Sequence, residues 1–593
     1  MADFNQSKLS RRALLGSIAA VPTAAIARVR LSGAQSPTRA RPGTSAWPTQ
    51  SEWDLLSREV GGRLIAAGRP ATQPSPELLS NPFYVGDQVG LTQSSGWLGA
   101  WRSSPSVYAV HAAGAADVAA VVRFASKHNL RLVVKGGGHS YMGGSNAPDS
   151  LLVWTRGMDS VELNDAFVPR DCRSPPAPAV SVGAGCLWGR VYRTVSVEGG
   201  RYVQGGGCTT VGVAGLVLGG GFGSFSKGFG LAAANLLEAE IVTAEGKIRT
   251  VNSCQDSDLF WALKGGGGST FGIVTRLTLR THDLPETFGV VRFTVQALNG
   301  DAFRTLLRGF LDFCRSALMN PHWGEQVHAT SDRRLIIEMN YQGMDGAAAQ
   351  KAWEPFVRRV QANSRDWKIV QSFFALDIPA PHYWDADWFS SHVPQAIKRN
   401  SAPGAQVGDY WWDGDGDQVG AYWSAYVSAW LPKSLLQPSG TQRLADAWFA
   451  ASRHWRVTFH FNKGLAGASP ETLAASRDTA MNPEVLDAFA MAIIAGSGDA
   501  AYPSWREPNL PDAKAASSRI RAADRALRAA APGAGCYMSE CDYFLSDWKR
   551  ATWGRHWPRL ESIKRRYDPH GLFVVHHGIG SDRWSSDGFV RVS

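Results

Sequence analysis

The pattern of apolar and polar positions predicts alternating helices and strands from about residue 101 onwards. In the stretch GAADVAAVVRFASKHN, the residues Val118, Val121, Val122 and Ala125 fall on one face of a helix. Short apolar runs that end at glycine or polar residues predict strands. The predicted strands are 151–155, 179–183, 236–244, 247–251 and 271–279, and the predicted helices are 187–197 and 256–264. Alternation of this kind up to residue 283 predicts an α+β or α/β domain.

The sequence changes character at about residue 284, where glycine clusters give way to alternating apolar runs. RLIIEMNY at 334–341 predicts a strand, and LAASRDTAMNPEVLDAFAMAI at 473–493 predicts amphipathic helix. A chain of 593 residues exceeds one typical core. We therefore expect a second α+β lobe after residue 284, without internal repeats or a coiled coil.

Residues 1–27 predict an export signal. They have a basic start, an apolar stretch from residue 13 to about 20, and a small-x-small end at Ala25-Ile26-Ala27. The segment SRRALL resembles the twin-arginine signal that exports folded proteins. The apolar stretch is too short to span a bilayer, and no later apolar run reaches 18 residues. We expect an exported protein, periplasmic or secreted, without a membrane span. Residues 28 to about 50 predict a linker within an N-terminal extension that reaches residue 100.

Charge and cysteine content narrow the classes of function. Removal of Lys8, Arg11, Arg12 and Asp3 with the signal leaves +8 of the formal net charge of +10. No dense basic tract or basic–aromatic motif accompanies this charge, so we expect no nucleic-acid partner. Seven cysteines are an odd number, so at least one is unpaired in an oxidising compartment, and the pairing is open. No C-x-x-C is present, which disfavours thioredoxin-like chemistry and a Cys₄ zinc site.

Three glycine-rich loops follow or precede predicted strands: KGGGHSYMGG (135–144), the stretch 201–230, and KGGGGSTFG (264–272). None contains the G-x-G-x-x-G dinucleotide fingerprint or the P-loop order. Each loop alone is explained by a structural turn. Together they favour a bound anionic cofactor, because glycine lets backbone amides approach a pyrophosphate. His139 and Cys208 lie in the first two loops, with no further ligands at metal spacing, so we predict no metal site.

The motifs VVKGGGHSYMG, GGGCTTVGVAGLVLGGGFG, GLAAANLLEAEIVTAEGKI, DLFWALKGGGGSTFGIVTRL and YDPHGLF together resemble the berberine-bridge-enzyme-like flavoproteins of the vanillyl-alcohol-oxidase superfamily. The resemblance covers residues 101–283 and returns at 536–580. It implies a two-lobed PCMH-type FAD-binding domain at 101–283 and an α+β substrate-binding domain at 284–530. A C-terminal berberine-bridge-like segment at 531–593 is then expected to return to the flavin.

The resemblance also implies that FAD is bound covalently, through His139 to the 8α-methyl carbon and through Cys208 to ring carbon C6. The other positions that match the family's cofactor-binding motifs are Gly136, Gly137, Gly138, Ser140, Gly206, Gly207, Thr209, Val211, Gly212, Gly215, Gly220, Gly221, Gly223 and Ile273. The many glycines fit this role, because they let the main chain lie against the flavin and the pyrophosphate.

Flavin chemistry requires a group that removes a proton from the substrate while hydride leaves its C–H bond. Tyr141 matches a family tyrosine near the active site, either as base or as a group that positions the substrate. Plant-type members carry tyrosine where this chain has Thr552, and Asn and Gln where it has Val575 and His577. His576 and His577 are therefore candidates for base or flavin contact, with a purely structural role equally open.

Val211, three residues after Cys208, matches a position associated in the family with oxygen access to the flavin. This favours an oxidase that transfers hydride from an alcohol-bearing small molecule, a sugar or a secondary metabolite, to FAD and then to O₂, giving H₂O₂. The alternatives are a dehydrogenase with another acceptor and a flavin-free binding protein of the same fold.

The segment YWWDGDGDQVGAYW at 410–423 contains three aspartates at alternate positions, Asp413, Asp415 and Asp417. A calcium loop of the EF-hand type would have Gly at Gln418 and Glu at Ser424, so we predict no calcium site. Tyr410, Trp411 and Trp412 either line a substrate cleft or pack in the core.

Overall fold

A computed structural model describes residues 38–592, so the predicted export signal lies outside the described residues. The first elements are α1 (Gln50–Glu59), β1 (Leu64–Ala66), α2 (Pro76–Leu79), α3 (Pro82–Gly86), β2 (Ser94–Trp97), β3 (Trp101–Arg102), β4 (Tyr108–His111), α4 (Ala115–Lys127), β5 (Arg131–Lys135) and β6 (Ser150–Trp154). A four-stranded sheet has the order β1-β4-β6-β5. Its strands β4, β6 and β5 are parallel, and β1 pairs antiparallel with β4.

The described part of the predicted linker and N-terminal extension is folded into the molecule. Arg39 is buried and donates to the carbonyl oxygens of Leu130 and Gly571 at 3.0 and 2.6 Å. Trp53 of α1 is buried with its ring 4.6 Å from that of Tyr108. The linker prediction was therefore wrong for residues 38–50. The polar composition of this segment suggested a linker, but Arg39 is buried and donates hydrogen bonds to main-chain carbonyl oxygens.

The next elements are β7 (Val161–Phe167), β8 (Ala177–Gly183), α5 (Trp188–Tyr192), β9 (Arg201–Val203), α6 (Val213–Leu218), α7 (Ser226–Phe229), β10 (Leu236–Val242), β11 (Ile248–Asn252), α8 (Ser257–Leu263) and β12 (Ile273–Asp283). They form a six-stranded antiparallel sheet of order β11-β10-β12-β8-β7, in which β9 also pairs with β12. The strands and helices predicted in this region are present with shifted ends. The helix predicted at 187–197 is split, with a π-helical turn over Arg193–Glu198 after α5.

Helix α4 packs in the core between these two sheets. Its predicted apolar face, Val118, Val121, Val122 and Ala125, is completely buried. The same cluster contains strand residues from both sheets and Phe573 near the C-terminus. The periodicity therefore identified the buried face correctly, because a 3.6-residue repeat can bury only one stripe of a helix.

The second lobe contains β13 (Thr287–Ala297), α9 (Gly300–Phe313), β14 (Trp323–Ala329), β15 (Arg334–Gln342), α10 (Gly346–Gln361), β16 (Trp367–Pro379), α11 (Ala386–His392), β17 (Ile397–Arg399), β18 (Tyr410–Trp412), β19 (Ala421–Pro432), α12 (Pro438–Ser452), β20 (Val457–His460), α13 (Pro470–Arg477), β21 (Ala488–Gly498) and α14 (Leu510–Arg528). Nine strands form one sheet of order β16-β13-β15-β14-β20-β21-β19-β2-β3. Strand β2 from the N-terminal segment pairs in parallel with β19. A strand from the N-terminal segment is therefore part of the sheet of the second lobe.

The helix predicted at 473–493 was wrong in its second half. Helix α13 ends at Arg477, and β21 begins at Ala488 as a buried central strand of the nine-stranded sheet. A continuous apolar run such as AFAMAIIAG suits a strand buried on both faces as well as a buried helix. No helix within residues 38–592 is long and apolar enough to cross a membrane.

The C-terminal segment contains α15 (Trp548–Trp553) and α16 (Trp557–Tyr567) and returns to the first lobe. The buried Lys564 ammonium donates to Asp568 and to the carbonyl oxygens of Thr270 and Phe573, each at 2.6 Å. Phe573 forms a parallel bridge with Leu132 of β5. This one cation therefore joins the C-terminal segment to the third glycine loop.

Candidate functional site

A cavity lies where the three glycine loops meet the second lobe and the C-terminal segment. Its volume is about 330 Å³. Small-molecule sites typically measure about 300–1,000 Å³, so the cavity lies within the range of such sites. The predicted site residues that line it are Gly136, Gly137, Gly138, His139, Ser140, Tyr141, Cys208, Val211, Gly212, Gly215, Ile273 and His576.

His139 and Cys208 reach this cavity from two different loops. The Nε2 atom of His139 lies 3.2 Å from the hydroxyl of Thr210, two residues beyond Cys208. Burial lowers the pKa of His139 to about 4, so the imidazole is neutral. Burial and Asp415 raise the pKa of the Cys208 thiol well above its usual range. The structure therefore brings together two nucleophilic side chains that are 69 positions apart in sequence.

The glycines beside these residues fit a cofactor that lies against the main chain. A Cβ atom on Gly137 would approach the Thr210 carbonyl oxygen to 2.7 Å and the Gly212 nitrogen to 2.8 Å. Gly137 thus lets the first two loops touch. By contrast, a Cβ on Gly215 or Gly268 would meet no protein atom within 4 Å, although both residues line the cavity. This bare backbone is what a bound flavin nucleotide requires.

Six other residues predicted to bind the cofactor do not line the cavity. They are Gly206, Gly207, Thr209, Gly220, Gly221 and Gly223. A Cβ on Gly220 would lie 2.1 Å from the Met481 sulfur, and one on Gly223 would lie 2.0 Å from the Gly205 carbonyl oxygen. The Thr209 hydroxyl donates to the Tyr410 carbonyl oxygen at 2.5 Å. The four glycines other than Gly207 thus allow close packing around the loop, whereas a Cβ on Gly207 would meet no atom within 4 Å.

Asp415 is a site residue that the sequence reasoning missed. Its Oδ1 atom accepts a hydrogen bond from the Cys208 thiol at 3.3 Å, and its buried Oδ2 atom has no partner in the described structure. Burial raises the pKa of this carboxyl group to about 6. A buried, unpartnered carboxylate oxygen in a cavity is a suitable proton acceptor near neutral pH. The available signal was the aspartate-rich turn, from which the sequence predicted only that no calcium site is present.

Lys463 and Glu540 also line the cavity and were not predicted. The ammonium lies 2.6 Å from both carboxylate oxygens, and the two side chains are only 13 and 15 % exposed. Lys463 follows β20, whereas Glu540 belongs to the C-terminal segment. The pair therefore fixes the C-terminal segment against the second lobe at the cavity wall.

Tyr141 packs its ring against Trp423 and Tyr426, at centroid distances of 4.6 and 5.2 Å. Its hydroxyl donates to the side-chain oxygen of Gln418 at 3.2 Å. Burial and the nearby carboxyl of Glu540 raise the pKa of Tyr141 well above its usual range. The phenol is thus neutral, which suits a hydrogen-bond donor and disfavours a base.

The two candidate histidines differ in position. His576 lines the cavity, stacks on Tyr543 at 3.6 Å and bonds through Nε2 with the Tyr543 carbonyl oxygen at 2.8 Å. His577 is buried outside the cavity lining, against Trp548 at a ring distance of 5.2 Å. Burial lowers the pKa of His577 to about 3. The geometry therefore gives His577 a packing position, and of these two histidines His576 is the one that lines the cavity.

The aromatic residues of β18 do not line the cavity. Tyr410 and Trp411 are buried, and the Trp412 indole donates to the Gly207 carbonyl oxygen at 3.0 Å. They support the turn Asp413–Gln418, whose residues Asp415 and Gln418 face the cavity. Of the two alternatives for these aromatic residues, a substrate cleft or packing in the core, the structure shows packing.

One disulfide is present, between Cys172 and Cys254. It links the loop after β7 to the end of β11, at the edge of the six-stranded sheet. Cys186, Cys208, Cys314, Cys536 and Cys541 carry no disulfide. The pairing that the sequence left open thus involves two cysteines outside the cavity.

Comparisons with known proteins agree with this site. A model of the FAD binding domain matches residues 107–252, and a berberine and berberine-like model matches residues 536–580. These matches contain two of the three glycine-loop regions and the segment that closes the cavity from the C-terminal side.

Similar proteins cover nearly the whole chain. The VAO-type flavoprotein oxidase VAO615 of Thermothelomyces thermophilus is 29% identical over 93% of this chain and 95% of its own. The crystal structure of the VAO-type flavoprotein MtVAO615 from Myceliophthora thermophila C1 matches with a TM-score of 0.76 and 24% identity, covering 93% and 100% of the two chains. The glucooligosaccharide oxidase of Acremonium strictum, with a 6-S-cysteinyl, 8α-N1-histidyl FAD, matches with a TM-score of 0.62 and 18% identity, covering 89% and 99%.

The fold and the cavity therefore define an FAD-linked oxidoreductase of mixed α/β architecture, which matches the VAO-type PCMH flavoproteins. The chain is similar to the berberine-bridge-enzyme-like flavoproteins, which is the resemblance that the motifs indicated.

Proposed function

We propose that this protein is an exported oxidase that oxidises an alcohol-bearing small molecule, a sugar or a secondary metabolite. In this proposal FAD is held covalently by His139 and Cys208, and O₂ is the electron acceptor. The observation that carries the proposal is the convergence of His139, Cys208 and the unpartnered carboxylate oxygen of Asp415 at one cavity.

The two tethers are supported by the state of each side chain. His139 uses Nε2 for Thr210, which leaves Nδ1 as the ring nitrogen for a flavin bond. A neutral imidazole is the nucleophilic form, and burial keeps His139 neutral. Cys208 sits on the opposite loop, within hydrogen-bonding distance of Asp415. A carboxylate beside a thiol can accept its proton when the thiol forms a bond to another atom.

FAD, when bound, accepts a hydride from a substrate C–H bond and passes the electrons to an acceptor. The removal of the proton and the positioning of the substrate are then left to side chains of this protein. We infer that Asp415 Oδ2 removes the proton of the substrate hydroxyl. The raised pKa of about 6 makes this carboxylate a stronger base than an exposed aspartate while it remains ionised at neutral pH.

Two further features position the substrate and exclude water in this proposal. Tyr141, with its neutral hydroxyl, offers a hydrogen-bond donor beside Gln418. The Lys463–Glu540 ion pair keeps the C-terminal wall closed. Both features orient the bound substrate. Orientation raises the rate of the reaction, because the substrate hydroxyl must lie close to the base in the correct geometry.

Oxygen as the acceptor is supported by Val211, which lines the cavity close to Cys208 in the chain. Export is supported by the SRRALL motif and by the Cys172–Cys254 disulfide. Disulfides persist in oxidising compartments and are rare in the cytosol. N-terminal sequencing of protein recovered from the periplasm or medium tests export, with a mature chain that begins near residue 28 as the expected result.

Peroxide yield tests the oxidase assignment directly. Purified protein is incubated with a panel of sugars and alcohols in air, and H₂O₂ and oxidised product are quantified together. We expect equal amounts of the two. Product that forms only with a quinone or dye would instead assign a dehydrogenase, and a colourless, flavin-free preparation would assign a binding protein.

A further inference from the structure

Cys536 and Cys541 enclose a short segment of the cavity wall. The four residues between them, Tyr537 to Glu540, all line the cavity, and Glu540 carries the ion pair with Lys463. Both cysteines are buried, at 2 and 0 % exposure, in a small cluster with Ala551. A buried cysteine therefore lies at each end of the segment Tyr537–Glu540, which forms part of the cavity wall.

These two thiols are close to each other. Contact with the Cys536 thiol, together with burial, raises the pKa of Cys541 well above its usual range. Among the remaining cysteines, Cys186 lies in the core of the first lobe and Cys314 in the core of the second. Within residues 38–592, Cys536 and Cys541 are the two unbridged cysteines that share a cluster.

A histidine and a route for a small oxidant lie beside the pair. The Cys541 sulfur is 3.9 Å from Nδ1 of His577. The side chain of Met142 packs on the cysteine cluster and also lines the cavity. A molecule of peroxide formed in the cavity is therefore separated from the thiols by one layer of side chains.

A metal site does not explain this arrangement. No group of three His, Cys, Asp or Glu side chains in the described part of the chain is placed to hold a metal ion. Two adjacent thiols at the two ends of one short segment are instead the components of a disulfide-forming pair.

We propose that Cys536 and Cys541 form a second, reversible disulfide that hydrogen peroxide generates and that fixes the Tyr537–Glu540 wall of the cavity. The inference rests on the proposed oxidase function for its source of peroxide. One cysteine loses its proton to solvent and attacks peroxide as the thiolate. The O–O bond breaks, a sulfenic acid forms, and the released hydroxide takes up a proton to become water. The second thiol then displaces water from that sulfur. Two thiols lose two electrons in total, and one peroxide becomes two water molecules.

Thiol counting on the holoprotein tests this proposal. The protein is reduced mildly or treated with H₂O₂, then denatured and alkylated, and the alkylated cysteines are counted by mass spectrometry. Five cysteines lie outside the Cys172–Cys254 disulfide. With Cys208 held by flavin we expect four alkylated cysteines before oxidation and two after it, with a peptide that joins Cys536 to Cys541.

The count separates failure of this proposal from failure of the proposed flavin tether. A change from five to three would mean that Cys208 is free while the cysteine pair still forms. An unchanged count after peroxide, or oxidation to sulfinic acid without a linked peptide, would overturn the disulfide.

Two variants complete the test. Cys541→Ser should abolish the loss of two thiols. The matched control Cys314→Ser should lower both counts by one and leave their difference at two. A difference of two that persists in Cys541→Ser would also overturn the assignment, because another pair would then be responsible.

Discussion

The thiol of Cys208 donates a hydrogen bond to Oδ1 of Asp415 at 3.3 Å, across 207 positions of sequence. This contact joins the second glycine loop of the first lobe to the turn after β18 in the second lobe. One partner matches the family position for a flavin bond, and the other is a buried acid with a free oxygen. The site therefore exists only where the two lobes meet.

Replacing Asp415 tests its role as base. Asp415→Asn keeps the size of the side chain and removes the ability to accept a proton, so we expect kcat to fall by ~10²–10⁴-fold. Flavin content should remain that of the unmodified protein, since the bond through His139 does not depend on Asp415. Asp417→Asn is the matched control, because Asp417 lies two residues away, is exposed and does not line the cavity. Equal kcat in both variants would show that Asp415 is not the base.

The pH dependence follows from the raised pKa of Asp415. The carboxylate form is the base, so kcat should rise with pH through about 6 and then level off. A pH series of initial rates measures this limb, which should be absent in Asp415→Asn. A low-pH limb of unchanged midpoint in that variant would assign the titration to another group.

The same pKa predicts an effect on stability. Because the folded pKa lies above the unfolded value, ionisation of Asp415 disfavours the folded state as pH rises from about 4 to 6. Asp415→Asn removes this cost, which is on the order of 2–3 kcal/mol above pH 6. Thermal unfolding should therefore show a gain in Tm for the variant at pH 8 and little gain at pH 4. A gain of the same size at both pH values would contradict the linkage.

Two glycine substitutions separate loop packing from cofactor contact. Gly137→Ala places a Cβ 2.7 Å from the Thr210 carbonyl oxygen, so it should push the first two loops apart and lower both Tm and flavin content. Gly215→Ala adds a Cβ that meets no protein atom within 4 Å, so the flavin-free fold should keep its stability while flavin loading falls. The measurements are the flavin-to-protein absorbance ratio and Tm. Full flavin loading in Gly215→Ala would show that its backbone does not contact the cofactor.

The Lys463–Glu540 pair should behave as a buried ion pair. Lys463→Met leaves the Glu540 carboxylate uncompensated, and breaking a buried pair from one side costs about 3–5 kcal/mol. The double variant Lys463→Met, Glu540→Gln removes both charges and should recover much of that loss. Denaturant unfolding of the four proteins forms a double-mutant cycle. Additive effects of the two substitutions would mean that the pair contributes no coupling.

Local patterns predicted much of the fold. The buried face of α4 followed from the spacing of Val118, Val121, Val122 and Ala125, because helix periodicity is a local property. The strand at Ala488–Gly498 was taken for a helix because an unbroken apolar run carries no periodicity. Residues 38–50 looked like a linker because the partners of Arg39 lie far along the chain.

The site was predicted only in part for a similar reason. His139 and Cys208 stand in recognisable glycine motifs, so sequence identified them. Asp415 and Lys463 gain their roles from partners 207 and 77 positions away, and no local pattern encodes such contacts. For His577 the sequence predicted too much. Its position next to His576 suggested that both side chains belong to the site, but His576 lines the cavity and His577 packs against Trp548.

The attachment of flavin tests the central claim most directly. Wild type, His139→Ala, Cys208→Ala and the double variant are precipitated in acid, washed and run on a denaturing gel, and flavin fluorescence is compared with protein stain. The account predicts that fluorescence stays with wild type and with each single variant and is lost from the double variant. Flavin that washes freely from folded wild-type protein would contradict it.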